Sequence, residues 1–172
     1  KASQPAAVAV PVAAAASPAV AKGEVVTIKT DLFSAEISTV GGDIVGLDLD
    51  NYRATEEKDK KFSLLEAKHQ YAAQSGLIGD GLPNHKTVFS VVPGARELSG
   101  EAKTLSLRLE APAANGVKIS KILTFTRGSY VVDVAYEVNN ASQKDVVAHA
   151  YYQFQRDMVA PAGESRMVST FT

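Results

Sequence analysis

Residues 119–138 read ISKILTFTRGSYVVDVAYEV, and the fold can be read outward from them. From Tyr130 the large apolar residues fall on every second position, at Tyr130, Val132, Val134, Tyr136 and Val138, with Val131, Asp133, Ala135 and Glu137 between them. Successive strand side chains point to opposite faces, so this period of two predicts a strand with one buried and one wetter face. The run from Ile119 to Thr126 is also rich in β-branched and aromatic residues, which suit a pleated surface. Thr126-Arg127-Gly128-Ser129 joins the two runs, and Gly128 supplies the backbone freedom of a tight connection. The stretch is therefore expected to be a long β-hairpin central to a sheet.

The flanking sequence repeats the pattern. Thr104 to Glu110 alternates throughout, with Leu105, Leu107 and Leu109 on one face. Val146 to Arg156 is expected to be the last long strand, with Val146, Ala148, Ala150, Tyr152 and Phe154 inward and Val147, His149, Tyr151, Gln153 and Gln155 outward. Near the start, Val25 to Thr30 and Leu32 to Val40 read as strands, the latter with Phe33, Ala35 and Ile37 inward. Gly41-Gly42-Asp43 turns the chain into a return strand, Ile44 to Asp50. Phe62 to Glu66 is a short apolar element, Tyr71 to Ile78 is read as extended, and Thr87 to Val92 as a strand closed by Pro93-Gly94. Many short strands with frequent turn signals, no long helix and no fixed repeat predict an all-β, antiparallel β-sandwich or open barrel with little helix.

Composition sets the outer bounds. The chain has 172 residues, 45% of them hydrophobic, enough for one domain with a sizeable core. A net charge of −1 gives no electrostatic footprint for nucleic acid or anionic lipid. Without cysteine there can be no disulfide, thiolate zinc site or thiol nucleophile. No run is long and apolar enough for a membrane helix. Residues 1–23 are dominated by Ala, Val and Pro; the recurring Pro5, Pro11 and Pro18 oppose a continuous helix and a signal-peptide reading, so a disordered linker is expected there. Residues 24–172 are expected to form the folded domain, as a piece of a longer protein cut inside its C-terminal end. Asn51 to Lys61 carries charges of both signs and reads as a solvated loop or short exposed helix.

Candidate chemistry is sparse. His69, His85 and His149 lack the spacing of a metal motif, and no serine-nucleophile, phosphate-loop or dinucleotide motif occurs. His149 could meet Asp133 or Glu137 if their strands were neighbours, forming an acid–base pair. His85 sits in a loop beside Pro83 and Asn84. Asp43, Asp48 and Asp50 could approach one another, though keeping an exposed sheet face wet is the simpler role. Asn140-Ala141-Ser142 matches a glycosylation sequon too short to carry weight. A second face made by Val147, Tyr151, Gln153 and Gln155 with Val131 and Ala135 is either covered by another layer or a binding surface. No catalytic, cofactor-binding or metal residue is assigned from these patterns, and no partner-binding residue.

Several stretches in order resemble the periplasmic domain of the bacterial YidC-type membrane protein insertases. They are Ile28-Lys29-Thr30-Asp31 with Phe33 to Asp43, Phe62 to Glu66, Tyr71 to Leu77, and Leu123 to Tyr130 leading into Val134 to Asn139. The Ala/Pro-rich start fits as well, since a variable low-complexity segment in that family joins the first membrane helix to the folded domain. The resemblance implies a super-sandwich of the galactose-mutarotase type on the periplasmic face of the inner membrane, tethered by helices absent from this chain. It implies a part in inserting and folding membrane proteins, alone or with the Sec translocon. The implied partners are SecD/SecF and nascent membrane proteins, with no cofactor and no enzymatic activity. The insertase groove of the family lies in its membrane helices. The alternative is a carbohydrate-binding or mutarotase-like domain, whose fold relatives use paired histidines and a glutamate in a cleft.

Overall fold

The computed structural model describes residues 23–54 and 57–158. The strands in chain order are β1 (Val25–Lys29), β2 (Phe33–Ser38), β3 (Ile44–Arg53), β4 (Lys61–Leu65), β5 (Ala72–Ile78), β6 (Ser90–Val91), β7 (Thr104–Glu110), β8 (Val117–Thr126), β9 (Val132–Asn140) and β10 (His149–Gln155). The helical content of the described residues is one 3-10 turn, Ala67–His69. One sheet has the order β1-β2-β3-β5-β10, with β4 also on β3; the other has the order β6-β7-β8-β9. Every strand pair is antiparallel. The expected all-β sandwich is what forms.

The core lies between the sheets. Ile28, Phe33, Ala35, Ile37, Ile44 and Leu47 from one layer pack with Leu105, Leu107, Leu109, Leu123 and Phe125 from the other. Phe33 and Phe125 meet across the layers at 6.1 Å between ring centroids. The alternation read at Leu105, Leu107 and Leu109 is thus a true core face, since burying such side chains contributes about 1.5–3 kcal/mol each. β3 carries a bulge that breaks strict alternation. Glu36 pairs with Gly46 and Ile37 with Ile44, so Val45 is the extra residue and both Ile44 and Leu47 turn inward. The β2–β3 turn uses Gly41 and Gly42 at φ of 76° and 62°.

Several boundaries differ from the sequence reading. β3 continues past Asp50 to Arg53 because β4 pairs with its far half. The strand expected over 87–92 shortens to Ser90–Val91, and the one expected from Val146 starts at His149. Of the hairpin's apolar alternates, Val132, Val134 and Tyr136 are partly buried, whereas Tyr130 and Val138 are 46% and 44% exposed. Tyr152 and Phe154, expected inward, are 62% and 74% exposed. The reason is topological: among the described residues β9 and β10 are each the last strand of a sheet, and their inner faces border a groove. The linker expected over 1–23 lies outside the described residues except for Gly23.

Candidate functional site

The groove between β9 and β10 has a volume of about 540 Å³. Its walls are Leu64, Tyr71, Tyr152 and Phe154 on one side and Tyr130, Val132 and Val134 on the other. Tyr152 Oη reaches the Val134 carbonyl at 3.4 Å, and Tyr71 and Phe154 pack at 6.3 Å between centroids. The groove is largely apolar; Gln153 lies on its β10 side, and Gln74, Ser75 and Lys121 come together at its floor.

Lys121 sits there because β8 alternates. Ile119, Lys121, Leu123 and Phe125 share its inward face, so the strand that buries three hydrophobes buries the lysine too. Its side chain is 1% exposed. The ammonium donates to the Gly41 carbonyl at 2.8 Å and the Ser75 carbonyl at 3.3 Å, and lies 3.6 Å from Asp43 Oδ1. Asp43 also accepts from Gln74 Nε2 at 3.0 Å and from the Ser75 amide at 3.4 Å. Tyr136 closes the cluster: its hydroxyl donates to Ser75 Oγ at 3.2 Å, and its ring centroid lies 5.9 Å from the Lys121 nitrogen. Gly42 lets the turn approach, since a Cβ there would stand 2.7 Å from Leu109 Cδ1 and 2.9 Å from Lys121 Cδ.

Burial governs the charges in this cluster. Removal from water pushes the Lys121 ammonium down to about 8, against the opposing pull of Asp43. Burial likewise raises the Asp43 carboxyl, although Lys121, the Ser75 amide, Gln74 and His85 all oppose the rise. It lifts the Tyr136 phenol to about 12. Both members of the pair therefore move toward their neutral forms, as expected where desolvation outweighs mutual attraction. The cluster ties the β8–β9 layer to the turn before β3 and to β5. Asp43 is thus not the exposed carboxylate expected from sequence, nor does it join Asp48 and Asp50. Asp48 accepts from Ser63 Oγ at 2.5 Å and Asp50 pairs with Lys61 at 2.7 Å, both across to β4.

None of the histidines lines the groove, although His85 is near enough to Asp43 to act on its carboxyl. His149 lies exposed on β10, opposite Ile78. Asp133 and Glu137 are on β9 in the other sheet, and Glu137 accepts from Arg108 Nη1 at 2.7 Å, so the suggested His–carboxylate meeting is not the contact made. His85 Nδ1 is 2.5 Å from Tyr151 Oη, which also accepts from the His85 backbone N–H at 3.0 Å. Tyr151 crosses the bare backbone of Gly76, where a Cβ would come within 2.6 Å of its hydroxyl. The loop that carries His85 thereby covers part of the β10 half of the expected second face; Val131 and Ala135 do not join that face, because β9 lies in the other sheet, and Val131 and Val147 are both exposed. His69 lies 3.6 Å from Glu66 Oε2 and 3.7 Å from Asp157 Oδ2. Among the described residues no cluster of three or more His, Asp or Glu could hold a metal. Asn140 of the sequon caps its own turn, accepting from the Ser142 amide at 2.9 Å and donating to the Lys144 carbonyl at 2.8 Å.

Sequence reasoning passed over Lys121 and misjudged Asp43. The signal for Lys121 was present: a lysine in phase with Ile119, Leu123 and Phe125 on an apolar strand face. Asp43 carried no comparable signal, since its burial depends on β5 and β8 arriving from far along the chain.

Comparison with known proteins places the chain. A family profile described as the YidC periplasmic domain matches residues 25–172. The chain is 54% identical over 153 residues to the membrane protein insertase YidC of Dechloromonas aromatica, covering 89% of this chain and 28% of that protein. It is 47% identical over 152 residues to the Nitrosospira multiformis protein of the same name, covering 87% and 27%, and 44% identical over 163 residues to that of Laribacter hongkongensis, covering 91% and 30%. The chain thus spans less than a third of the length of these relatives. With a family match that runs through the whole sandwich, from β1 to beyond β10, this chain belongs to the YidC periplasmic domain family.

Proposed function

We propose that this chain is the periplasmic module of a membrane protein insertase, and that it acts by contact rather than by catalysis. The observation that carries the reading is the family match over residues 25–172, together with relatives named membrane protein insertase. The side chains support it. His85 is engaged with Tyr151, Glu137 with Arg108, and Lys121 with Asp43, each in a contact that joins elements of the fold. The module stands on the periplasmic side of the inner membrane, joined to membrane helices of the parent protein. There it docks accessory proteins of the Sec translocon, SecD/SecF, and assists nascent membrane proteins during insertion. No helix among the described residues is long and apolar enough to cross a membrane; in this reading the insertion step belongs to other parts of the parent.

Co-purification of the parent insertase with SecD/SecF, with and without this module, tests the reading. Loss of the accessory complex from the module-deleted protein is expected. Equal recovery from both, at equal insertase levels, would overturn the docking role.

A further inference from the structure

The connection into β8 is a tight one. Ala114 and Val117 exchange both backbone hydrogen bonds, at 3.1 and 2.8 Å, and leave only Asn115 and Gly116 between them. Both central residues take positive φ, 52° and 78°. Asparagine and glycine are the residues that such a turn selects, because both tolerate the left-handed region. The choice has a chemical side effect. A glycine leaves the backbone nitrogen after an asparagine unhindered, and that nitrogen is a nucleophile within reach of the side-chain amide.

The chain has five asparagines, and Asn115 alone is followed by glycine. Asn51 and Asn139 precede the bulkier Tyr52 and Asn140. Asn84 is held through its Oδ1, which accepts from the Lys86 amide at 2.9 Å, and Asn140 is held at both ends of its side chain. Asn115 and Gly116 are both exposed, and among the described residues neither the Asn115 side chain nor the Gly116 N–H makes a hydrogen bond.

We propose that Asn115 is a site of spontaneous deamidation, and that its isoaspartyl product loosens the joint between the start of β8 and the turn after β9. The Gly116 nitrogen loses its proton to solvent hydroxide and attacks Asn115 Cγ. The new C–N bond closes a cyclic imide, and the side-chain nitrogen leaves as ammonia, taking a proton back from water. Water then opens the ring. Breaking the bond to Cγ gives aspartate; breaking the bond to the main-chain carbonyl gives isoaspartate, and the net reaction consumes water and releases ammonia. Isoaspartate routes the main chain through the side-chain carbons and inserts a methylene between Ala114 and Val117. The turn has no slack for it. The Gly116 carbonyl accepts from the Ala141 N–H at 3.0 Å, and a Cβ at residue 116 would stand 3.4 Å from the Ser142 nitrogen. A lengthened turn cannot keep both the Ala114–Val117 pair and the Ala141 contact, since loop length sets hairpin geometry. The proposal is independent of which partner the module contacts.

Peptide mapping of the folded 172-residue chain, after incubation in mildly alkaline buffer, tests the site. Conversion at Asn115 is expected to outrun that at Asn84 and Asn140 by roughly tenfold or more, and Gly116→Ala to slow it by a similar factor, because the added Cβ crowds the attacking nitrogen. Amide exchange on the isoaspartate-enriched fraction tests the consequence. Exchange at Ala141 and Val117 is expected to quicken by roughly tenfold, while Asn115→Asp, which carries the charge without the added methylene, stays within about twofold of the parent. Equal conversion at Asn115, Asn84 and Asn140 in the parent chain would overturn the site. Unchanged exchange at Ala141 in the isoaspartate fraction, or equal quickening in Asn115→Asp, would overturn the loosening.

Discussion

At the scale of single residues, the Lys121–Asp43 pair sets the strongest constraint. Removing one member leaves the other charge buried without its partner, a loss of about 3–5 kcal/mol in comparable pairs. Asp43→Ala is expected to fall in that range by denaturant unfolding, and combining it with Lys121→Met should recover part of the loss. The pH dependence has a definite sign. The folded-state pKa of Lys121, about 8, lies below the ordinary lysine value of 10.5. Between these values the unfolded chain holds a proton that the folded chain lacks, so stability rises with pH across that window. Tyr136 acts oppositely: its folded-state value of about 12 exceeds the ordinary 10.0, so its contribution falls as pH rises from 10 to 12. Unfolding measured from pH 7 to 11 should show the rise flattened in Lys121→Met and the later fall reduced in Tyr136→Phe. The lysine was legible in the sequence as the one charged residue on the inward face of β8. Its carboxylate partner was not, because the contact spans the distance from residue 43 to residue 121 and no local pattern encodes it.

At the scale of elements, close approach decides more than propensity. Gly76 and Tyr151 are paired across β5 and β10, and the tyrosine ring occupies the space a side chain at 76 would need. Gly76→Val should expel Tyr151, free the loop that carries His85, and cost roughly 1–3 kcal/mol, the range for forcing side chains out of place. A drop in thermal midpoint together with faster amide exchange at His85 would check it. In the core of β7, Leu107→Ala should cost about 2–5 kcal/mol by the same unfolding assay. The strands themselves were readable where a period of two met a uniformly apolar face, as in β2 and β7. Reading failed at the margins. The bulge at Val45 shifted the phase of β3, and Tyr152 and Phe154 alternate perfectly although, among the described residues, the sheet ends at their strand. Alternation reports which face a side chain takes; it carries no information on whether another layer covers that face.

At the scale of the whole molecule, two antiparallel sheets pack around one apolar core and are tied at one point by a buried polar cluster. The ordered stretches read as family resemblance fall largely on strands of this framework: β2 with its Gly41-Gly42 turn, β4, β5, and β8 with β9. The candidate chemistry does not converge, because His69, His85 and His149 occupy three separate places outside the groove. On the proposed reading, the module works by presenting surfaces held rigid by a packed core. The most direct measurement of that claim is equilibrium binding of the folded chain to the purified SecD/SecF complex in detergent. Saturable binding is expected, and a globally destabilised variant such as Asp43→Ala should lose it as it unfolds. Absence of binding by a chain shown to be folded, at concentrations up to tens of micromolar, would contradict it.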